Sequence, residues 1–212
     1  MTTSHTADYD VIAVGAGFAG ISLSYHLREA GLNTKIFDRA DDIGGTWAWN
    51  RYPGAATDSE SYYYCLTFSK EVLQEWSWTK RYSGWEETQA YLKFVMDKFS
   101  LWPSFQLSTE VESAEFDNET GLWNVHTGDG KTHTAKYFIS AMGMISQPVI
   151  PNIAGMDSFN GPLFHSSRWP EGLDVAGKRV GIIGAGATTV QMLPEVAKTA
   201  AQVTVFQRTP NF

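Results

Sequence analysis

Two glycine-rich stretches carry the first chemical signal in this sequence. Gly15, Gly17 and Gly20 follow the apolar run YDVIAV, with the spacing that lets a chain turn tightly against a pyrophosphate at a helix N-terminus. Asp38 ends the next apolar run, where a carboxylate can accept hydrogen bonds from ribose hydroxyls. The alternative is a plain glycine turn beside a surface aspartate. The apolar run before the turn and the helical pattern after it favour a dinucleotide site, which suits FAD or NAD.

The second stretch has the same organisation with a different charge at its end. It reads Gly184-Ala185-Gly186-Ala187-Thr188-Thr189, with Thr189 in the place of the third glycine, which requires more room between helix and strand. The following strand ends at Arg208, and a base there suits a 2′-phosphate, to which Thr209 can add a hydroxyl contact. The alternative for Arg208 is a solvated residue at a strand end. The pattern favours NADPH.

Two nucleotide folds in one chain indicate electron transfer from NADPH to a flavin. The sequence holds a single cysteine, Cys65, so it has no CxxC motif and a disulfide reductase is excluded. Oxygen, a quinone or an electron-transfer protein remain as the final acceptor.

The composition of the chain excludes further classes of function. A hydrophobic content of 43% and a charged content of 18% in 212 residues are typical of a core-forming protein. The net charge of −7 argues against nucleic acid or an anionic membrane as a partner. The five histidines never pair at metal-ligand spacing, so no metal is expected. The start of the chain lacks the pattern of a signal peptide, and no apolar run is long enough to span a membrane. The single cysteine suits a reducing compartment. We therefore expect a cytoplasmic protein.

The elements around these motifs predict an α/β protein with two Rossmann-like dinucleotide-binding folds. A first βαβ unit covers residues 9–39, a helix covers 84–99, and strands cover 111–117, 121–127 and 132–143. We expect the FAD domain to contain a small β insertion. A second βαβ unit begins at residue 178. We expect a flexible N-terminus at 1–8, the N-terminal part of an FAD domain at 9–147, a linker at 148–177, and the truncated start of an NADP domain at 178–212.

Two longer motifs resemble the fingerprints of type I Baeyer–Villiger monooxygenases. The first is GGTWAWNRYPGAATD at 44–58, and the second is FNGPLFHSSRWP at 159–170, and both fill every fixed position of the family patterns. Flavin-containing monooxygenases have a similar second motif that usually ends with Tyr or Phe, so Trp169 favours the Baeyer–Villiger group. The resemblance implies FAD and NADPH as cofactors.

The resemblance also implies a role for each matching residue. The residues that would contact FAD are Gly15, Gly17, Gly20, Asp38, Gly45, Thr46, Trp47, Asp58, Tyr64 and Val111. Those that would contact NADP are Ala56, Thr57 and Asp58 at the nicotinamide end, Gly184, Ala185, Gly186, Ala187, Thr188, Thr189, Val190 and Gln191 at the pyrophosphate, and Arg208 and Thr209 at the 2′-phosphate. Asp58 would act in catalysis by positioning a cation, an arginine that the family carries further downstream. His165 would act as a conformational residue that links the cofactors, rather than as a general base.

The implied reaction inserts one oxygen atom of O₂ next to the carbonyl of a small ketone, giving an ester or lactone. Two alternatives remain open: a flavin-containing monooxygenase that oxygenates nitrogen or sulfur, and a non-catalytic flavoprotein fragment. Because the family's later elements have no counterpart in this sequence, we expect the chain to be the N-terminal part of the enzyme. On its own it would not be fully active, and a second chain or segment would carry the remainder.

Overall fold

The computed structural model describes residues 6–209, so most of the expected flexible N-terminus at 1–8 lies outside the described residues. The chain divides into two compact units, which are described separately. The first contains residues 1–48, 65–77 and 88–146, and the second contains residues 49–64, 78–87 and 147–212. None of the helices within 6–209 is long and apolar enough to cross a membrane.

The first unit is built on a six-stranded mixed sheet. Its strands are β1 (Tyr9–Val14), β2 (Thr34–Phe37), β3 (Phe105–Gln106), β4 (Val111–Asp117), β5 (Leu122–Thr127) and β6 (Thr132–Ser140), in the order β3-β2-β1-β6-β5-β4. The strand β1 lies parallel to both β2 and β6, whereas β4, β5 and β6 pair antiparallel. Ile12, Phe37, Val125 and Ala135 form one buried cluster across the strands. The buried residues of β1, Val11, Ile12 and Ala13, are all apolar, as a strand between two parallel neighbours requires.

Four helices accompany the first sheet. They are α1 (Phe18–Glu29), α2 (Thr46–Trp49), α3 (Lys70–Glu75) and α4 (Trp85–Lys98). Ala30 caps the C-terminus of α1, and Gly31 follows with a φ of +73°, a conformation that glycine adopts without strain. Tyr91, Leu92, Val95 and Met96 of α4 are fully buried at helical spacing. The sequence predicted α1 and α4, but neither α2 nor α3.

The second unit contains the second βαβ element. The strands β7 (Arg179–Ile183) and β8 (Gln202–Phe206) pair in parallel, and α5 (Ala187–Ala197) connects them. Met192 and Val196 of α5 pack with Ile182, Tyr52 and Ala55 in one buried cluster. Residues of the first fingerprint thus belong to the core beneath the second glycine turn. The predicted class, an α/β protein with two Rossmann-like folds, is confirmed.

Candidate functional site

The first glycine turn is shaped by close backbone contacts. Gly15 has a φ of +116°, and a Cβ atom placed on it would lie 2.3 Å from the carbonyl oxygen of Ala141. A Cβ on Gly20 would lie 1.9 Å from the carbonyl oxygen of Gly15. Both distances are far below van der Waals contact. Gly15 is therefore required where the turn passes the residue after β6, and Gly20 where α1 packs on the turn, in keeping with the tight turn that the sequence predicted.

Gly17 meets the glycine pair of the first fingerprint. The amide of Gly44 donates to the carbonyl oxygen of Ala16 at 2.9 Å. A Cβ on Gly45 would lie 3.0 Å from the Cα of Gly17, and one on Gly17 would lie 3.4 Å from the Cα of Gly45. The fingerprint glycines thus lie directly on the dinucleotide turn. Because neither Gly17 nor Gly45 has a side chain, the two backbones can come into contact. The spacing of the glycines in the sequence did not reveal this reason for their presence.

Asp38 lies against the same turn. Its Oδ2 atom accepts a hydrogen bond from the Ala16 amide at 2.6 Å, and its Oδ1 atom accepts one from the Ala40 amide at 2.8 Å. Each carboxylate oxygen can accept two hydrogen bonds, so with respect to residues 6–209 both keep one free acceptor position. The predicted ribose contact is thus compatible with this geometry, although the carboxylate also has a structural role in holding the turn.

The remaining predicted FAD residues divide between the two units. Thr46 and Trp47 lie in α2, where the Trp47 amide donates to the carbonyl oxygen of Gly44 at 3.1 Å, and Val111 begins β4. Tyr64 belongs to the second unit and ends a single 3₁₀ turn, Ser61–Tyr64. Burial raises the pKa of the Tyr64 hydroxyl, a hydrogen bond with Ser59 opposes that increase, and the negative charge of Asp58 adds to it.

The glycines of the second turn have free space around them, unlike those of the first turn. Gly184 has a φ of +109°, and a Cβ on Gly184 or on Gly186 would meet no described atom within 4 Å. A cavity of about 320 Å³ lies here. Its lining residues are Ile183, Gly184, Ala185, Phe206, Arg208 and Thr209. The structure therefore brings together, in one open cavity, four of the residues that the sequence predicted to bind the pyrophosphate and the 2′-phosphate.

Thr189 explains how the second turn accommodates a residue larger than glycine. Its hydroxyl donates to the carbonyl oxygen of Gly184 at 3.0 Å, and the residue as a whole is 8% exposed. The corresponding contact in the first unit leaves no room for even a methyl group on Gly20. The second turn thus leaves more room beside α5 than the first turn leaves beside α1. The Thr189 hydroxyl occupies that room.

The fingerprint segment 52–56 is held against α5. The Tyr52 hydroxyl donates to Oε1 of Gln191 at 2.7 Å, and Nε2 of Gln191 donates to the carbonyl oxygen of Ala56 at 2.8 Å. Burial raises the pKa of the Tyr52 hydroxyl, a hydrogen bond with Thr188 opposes this, and the charge of Asp58 adds to the increase. The side-chain amide of Gln191 thus has partners within the protein.

Thr57 and Asp58 follow on the same segment. The Thr57 amide donates to the carbonyl oxygen of Ser83 at 2.9 Å, and the Trp85 amide donates to that of Ala55 at 3.0 Å. The Thr57 hydroxyl is buried and has no hydrogen-bond partner within 6–209, whereas Asp58 is exposed. Ser83 and Trp85 support the candidate site, but sequence reasoning missed them because no periodic pattern marks this pairing.

The second fingerprint is ordered by its own contacts. Nδ1 of His165 accepts a hydrogen bond from the Ser167 amide at 3.1 Å and lies 2.9 Å from the Ser167 hydroxyl. The His165 ring thus caps the single turn Ser166–Arg168 that follows it. Arg168 stacks over the ring of Trp49 at 4.1 Å, and Trp169 packs against the cluster that contains Tyr52. Both fingerprints therefore share one core.

The fold and these turns first define a class, the α/β proteins with paired dinucleotide-binding units. The sequence profile of the flavin-binding monooxygenase-like family matches residues 9–212, and the chain belongs to that family. The resemblance inferred from the two fingerprints is thus confirmed. In the part of the chain that the structure describes, no three His, Cys, Asp or Glu side chains lie close enough to hold a metal ion.

Individual relatives are similar over nearly the whole chain. A Baeyer–Villiger monooxygenase of Pseudooceanicola batsensis is 45% identical over 97% of this chain, which spans 38% of that relative. A phenazine N-monooxygenase of Lysobacter antibioticus is 43% identical over 100% of this chain, which spans 39% of that protein. The crystal structure of cyclohexanone monooxygenase from Rhodococcus sp. Phi1 bound to NADP+ has a TM-score of 0.92 at 42% identity, covering 96% of this chain and 39% of that one.

Proposed function

We propose that this chain forms the FAD- and NADPH-binding part of a monooxygenase that inserts one oxygen atom of O₂ next to a ketone carbonyl. The observation that carries this proposal is the open cavity at the second glycine turn, with Arg208 and Thr209 in its lining. The first fingerprint is hydrogen-bonded to the helix that starts at the same turn. A ketone-oxygenating relative of 45% identity supports the reaction class.

FAD fits the first unit. A glycine turn of this type binds a pyrophosphate, so a flavin bound there is the dinucleotide rather than FMN. The amides of the turn and the free acceptor positions of Asp38 would hold the pyrophosphate and the ribose. Gly45, Thr46, Trp47 and Val111 of the same unit would line the flavin half, as the family resemblance implies. The resemblance also assigns contacts with FAD to Asp58 and Tyr64. The bound flavin supplies the hydride acceptor and the site of oxygen activation.

NADPH fits the second unit. Arg208 and Thr209 would bind its 2′-phosphate, since a guanidinium matches phosphate oxygens in charge and in shape. The open space above Gly184 and Gly186 would take the pyrophosphate at the start of α5, from Ala185 to Gln191. The unpartnered hydroxyl of Thr57 offers a buried hydrogen-bonding group to the nicotinamide end, next to Ala56 and Asp58.

Asp58 and His165 would serve the reaction indirectly. A carboxylate cannot stabilise a developing anion, so Asp58 would instead position a cation supplied by the remaining length of the protein. His165 is hydrogen-bonded within its own turn through Nδ1, which suits a residue that orders the loop better than a general base. A segment or second chain that completes the enzyme, and a cytoplasmic location with access to NADPH, belong to the same proposal.

Oxygenation of nitrogen is the second candidate. It is favoured by the phenazine N-monooxygenase, which is 43% identical and thus nearly as similar as the ketone-oxygenating relative. Trp169 favours the ketone reaction on the basis of the motif. A non-catalytic flavoprotein is the third candidate, in which NADPH would not reduce the bound flavin.

A reduction and product assay tests the proposal. The protein that carries this chain is purified, its flavin is identified by mass spectrometry, and NADPH is added without oxygen. We expect FAD and bleaching of its absorbance. Air is then admitted with cyclohexanone or with a phenazine, and an ester or lactone from the ketone supports the main proposal. Phenazine N-oxide as the sole product would favour nitrogen oxygenation, and failure of NADPH to bleach the flavin would leave the non-catalytic candidate.

A further inference from the structure

The side chain of Gln191 is hydrogen-bonded to both backbone polar groups of one residue in the first fingerprint, Ala56. Its Nε2 atom donates to the carbonyl oxygen of Ala56 at 2.8 Å, and its Oε1 atom accepts a long hydrogen bond from the amide of Ala56 at 3.4 Å. The same Oε1 atom accepts the stronger bond from the Tyr52 hydroxyl at 2.7 Å. Because the amide meets both the N–H and the C=O of one residue, it holds the backbone there as a neighbouring strand would.

The backbone of the fingerprint also approaches the helix. Gly54 has a φ of +79°, and a Cβ on it would lie 2.4 Å from the main-chain carbonyl oxygen of Gln191. Tyr52, Gly54 and Ala56 thus all contact the same residue of α5. The chain turns at Tyr52–Gly54, where the Ala55 amide donates to the carbonyl oxygen of Tyr52 at 3.0 Å, and this turn brings all three residues to Gln191. We call these contacts the Gln191 clamp.

The clamp joins two parts of the proposed NADP site. Gln191 lies in α5, one and a half turns after Gly186, where the pyrophosphate would bind. Ala56 is directly followed by Thr57 and Asp58, the residues proposed for the nicotinamide end. Within the described residues, Thr57 is held from the other side by the carbonyl oxygen of Ser83. A peptide fixed on both sides presents its side chains in one orientation.

An amide is the group that this position requires. A glutamate would keep the acceptor for Tyr52 but would face the carbonyl oxygen of Ala56 with a second acceptor. A methionine would fill a similar volume without donor or acceptor. Both changes would leave polar backbone atoms at the Ala56 peptide without a partner, which is the costly way to lose a hydrogen bond.

We propose that Gln191 is a positioning residue, which sets the geometry of Ala56, Thr57 and Asp58 at the nicotinamide end instead of binding the pyrophosphate through its side chain. This inference rests on the proposed function for its ligand. It assigns to the Gln191 amide a task different from the cofactor contact that the family resemblance implies. The two tasks differ in which part of NADP should respond to a substitution.

The test compares Gln191→Met and Gln191→Glu with Lys198→Met, a control at the exposed C-terminal end of the same helix. The ligands are NADPH and 2′,5′-ADP, a fragment that carries the 2′-phosphate but no nicotinamide. For both Gln191 variants we expect 2′,5′-ADP affinity within about twofold of the wild type, and anaerobic flavin reduction at saturating NADPH slowed by about tenfold or more, the scale of one to two lost hydrogen bonds. The control should match the wild type in both assays.

Two further measurements keep the outcome interpretable. Hydrogen exchange of the 55–58 amides, without any ligand, should accelerate in Gln191→Met, and the effect of Tyr52→Phe on exchange should be smaller in that background than in the wild type. Unchanged exchange and unchanged flavin reduction would overturn the proposal, as would an equal loss of 2′,5′-ADP and NADPH affinity. If the wild type bound no NADPH, the proposed function would fail while the exchange experiment still decided the clamp.

Discussion

The contrast between Gly20 and Thr189 gives the sharpest test of how the two turns are built. In Gly20→Ala, the new methyl group would lie 1.9 Å from the carbonyl oxygen of Gly15, which belongs to the backbone and cannot rotate away. Helix propensity alone would favour alanine by about 1 kcal/mol, so any loss of stability is steric. Overpacking costs about 1–3 kcal/mol, and a rigid partner puts this case at the upper end.

A cost of about 3 kcal/mol corresponds to a decrease in Tm of about 6–12 °C for a protein of this size. The matched change in the second turn is Thr189→Ala, which removes the 3.0 Å hydrogen bond to Gly184 and creates no clash. Its expected cost is about 1 kcal/mol, or about 2–4 °C. Thermal unfolding followed by circular dichroism gives both values, and the flavin content after gel filtration gives the functional consequence.

The two variants should also differ in function. Gly20→Ala should lose FAD, because the shifted turn no longer presents its amides, whereas Thr189→Ala should keep FAD. Gly31→Ala provides a control, since its methyl group would meet no described atom within 4 Å and only the φ of +73° is unfavourable. A Gly20→Ala protein that unfolds at or above the wild-type temperature and retains its flavin would refute this account of the first turn.

Three other predictions follow from the structure. Gly186→Ala should leave the Tm within about 2 °C but abolish NADPH binding in calorimetry, because its Cβ enters open space that the pyrophosphate needs; intact binding would contradict this. Arg208→Ala should reduce the preference for NADPH over NADH by about 10- to 100-fold in flavin-reduction kinetics, because it removes a charge-assisted hydrogen bond to the 2′-phosphate. The kinetics with NADH should stay unchanged. Burial raises the pKa of Tyr91 to about 12 from 10.0, so the folded state keeps this proton where the unfolded state releases it, and stability should fall as pH rises from 10 to 12. The Tyr91→Phe variant also loses the hydrogen bond from the Leu66 amide. Urea titrations should show that its free energy of unfolding decreases less steeply than that of the wild type between pH 10 and 12.

Much of the fold could be predicted from the sequence because its signals are local. The helix predicted at 84–99 is α4 at Trp85–Lys98, and the strand predicted at 111–117 is β4 at Val111–Asp117. Apolar periodicity and glycine spacing act within one element and its neighbours in sequence, so they can be read directly. The short helix α3 at Lys70–Glu75 was missed, since six residues give too little periodicity.

The sequence by itself determined the family, the two glycine turns and the charges that distinguish them, since each depends on residue types at fixed spacing. Only the tertiary structure decided why the fingerprint residues have those types. Gly45 is glycine because it touches Gly17, and Gly54 is glycine because it touches Gln191, which lies far away in the sequence. Such contacts depend on how distant segments approach one another, and a single sequence does not record that distance. The sequence therefore predicted that Gln191 contacts the cofactor, whereas in the structure its side-chain amide is hydrogen-bonded to Tyr52 and Ala56.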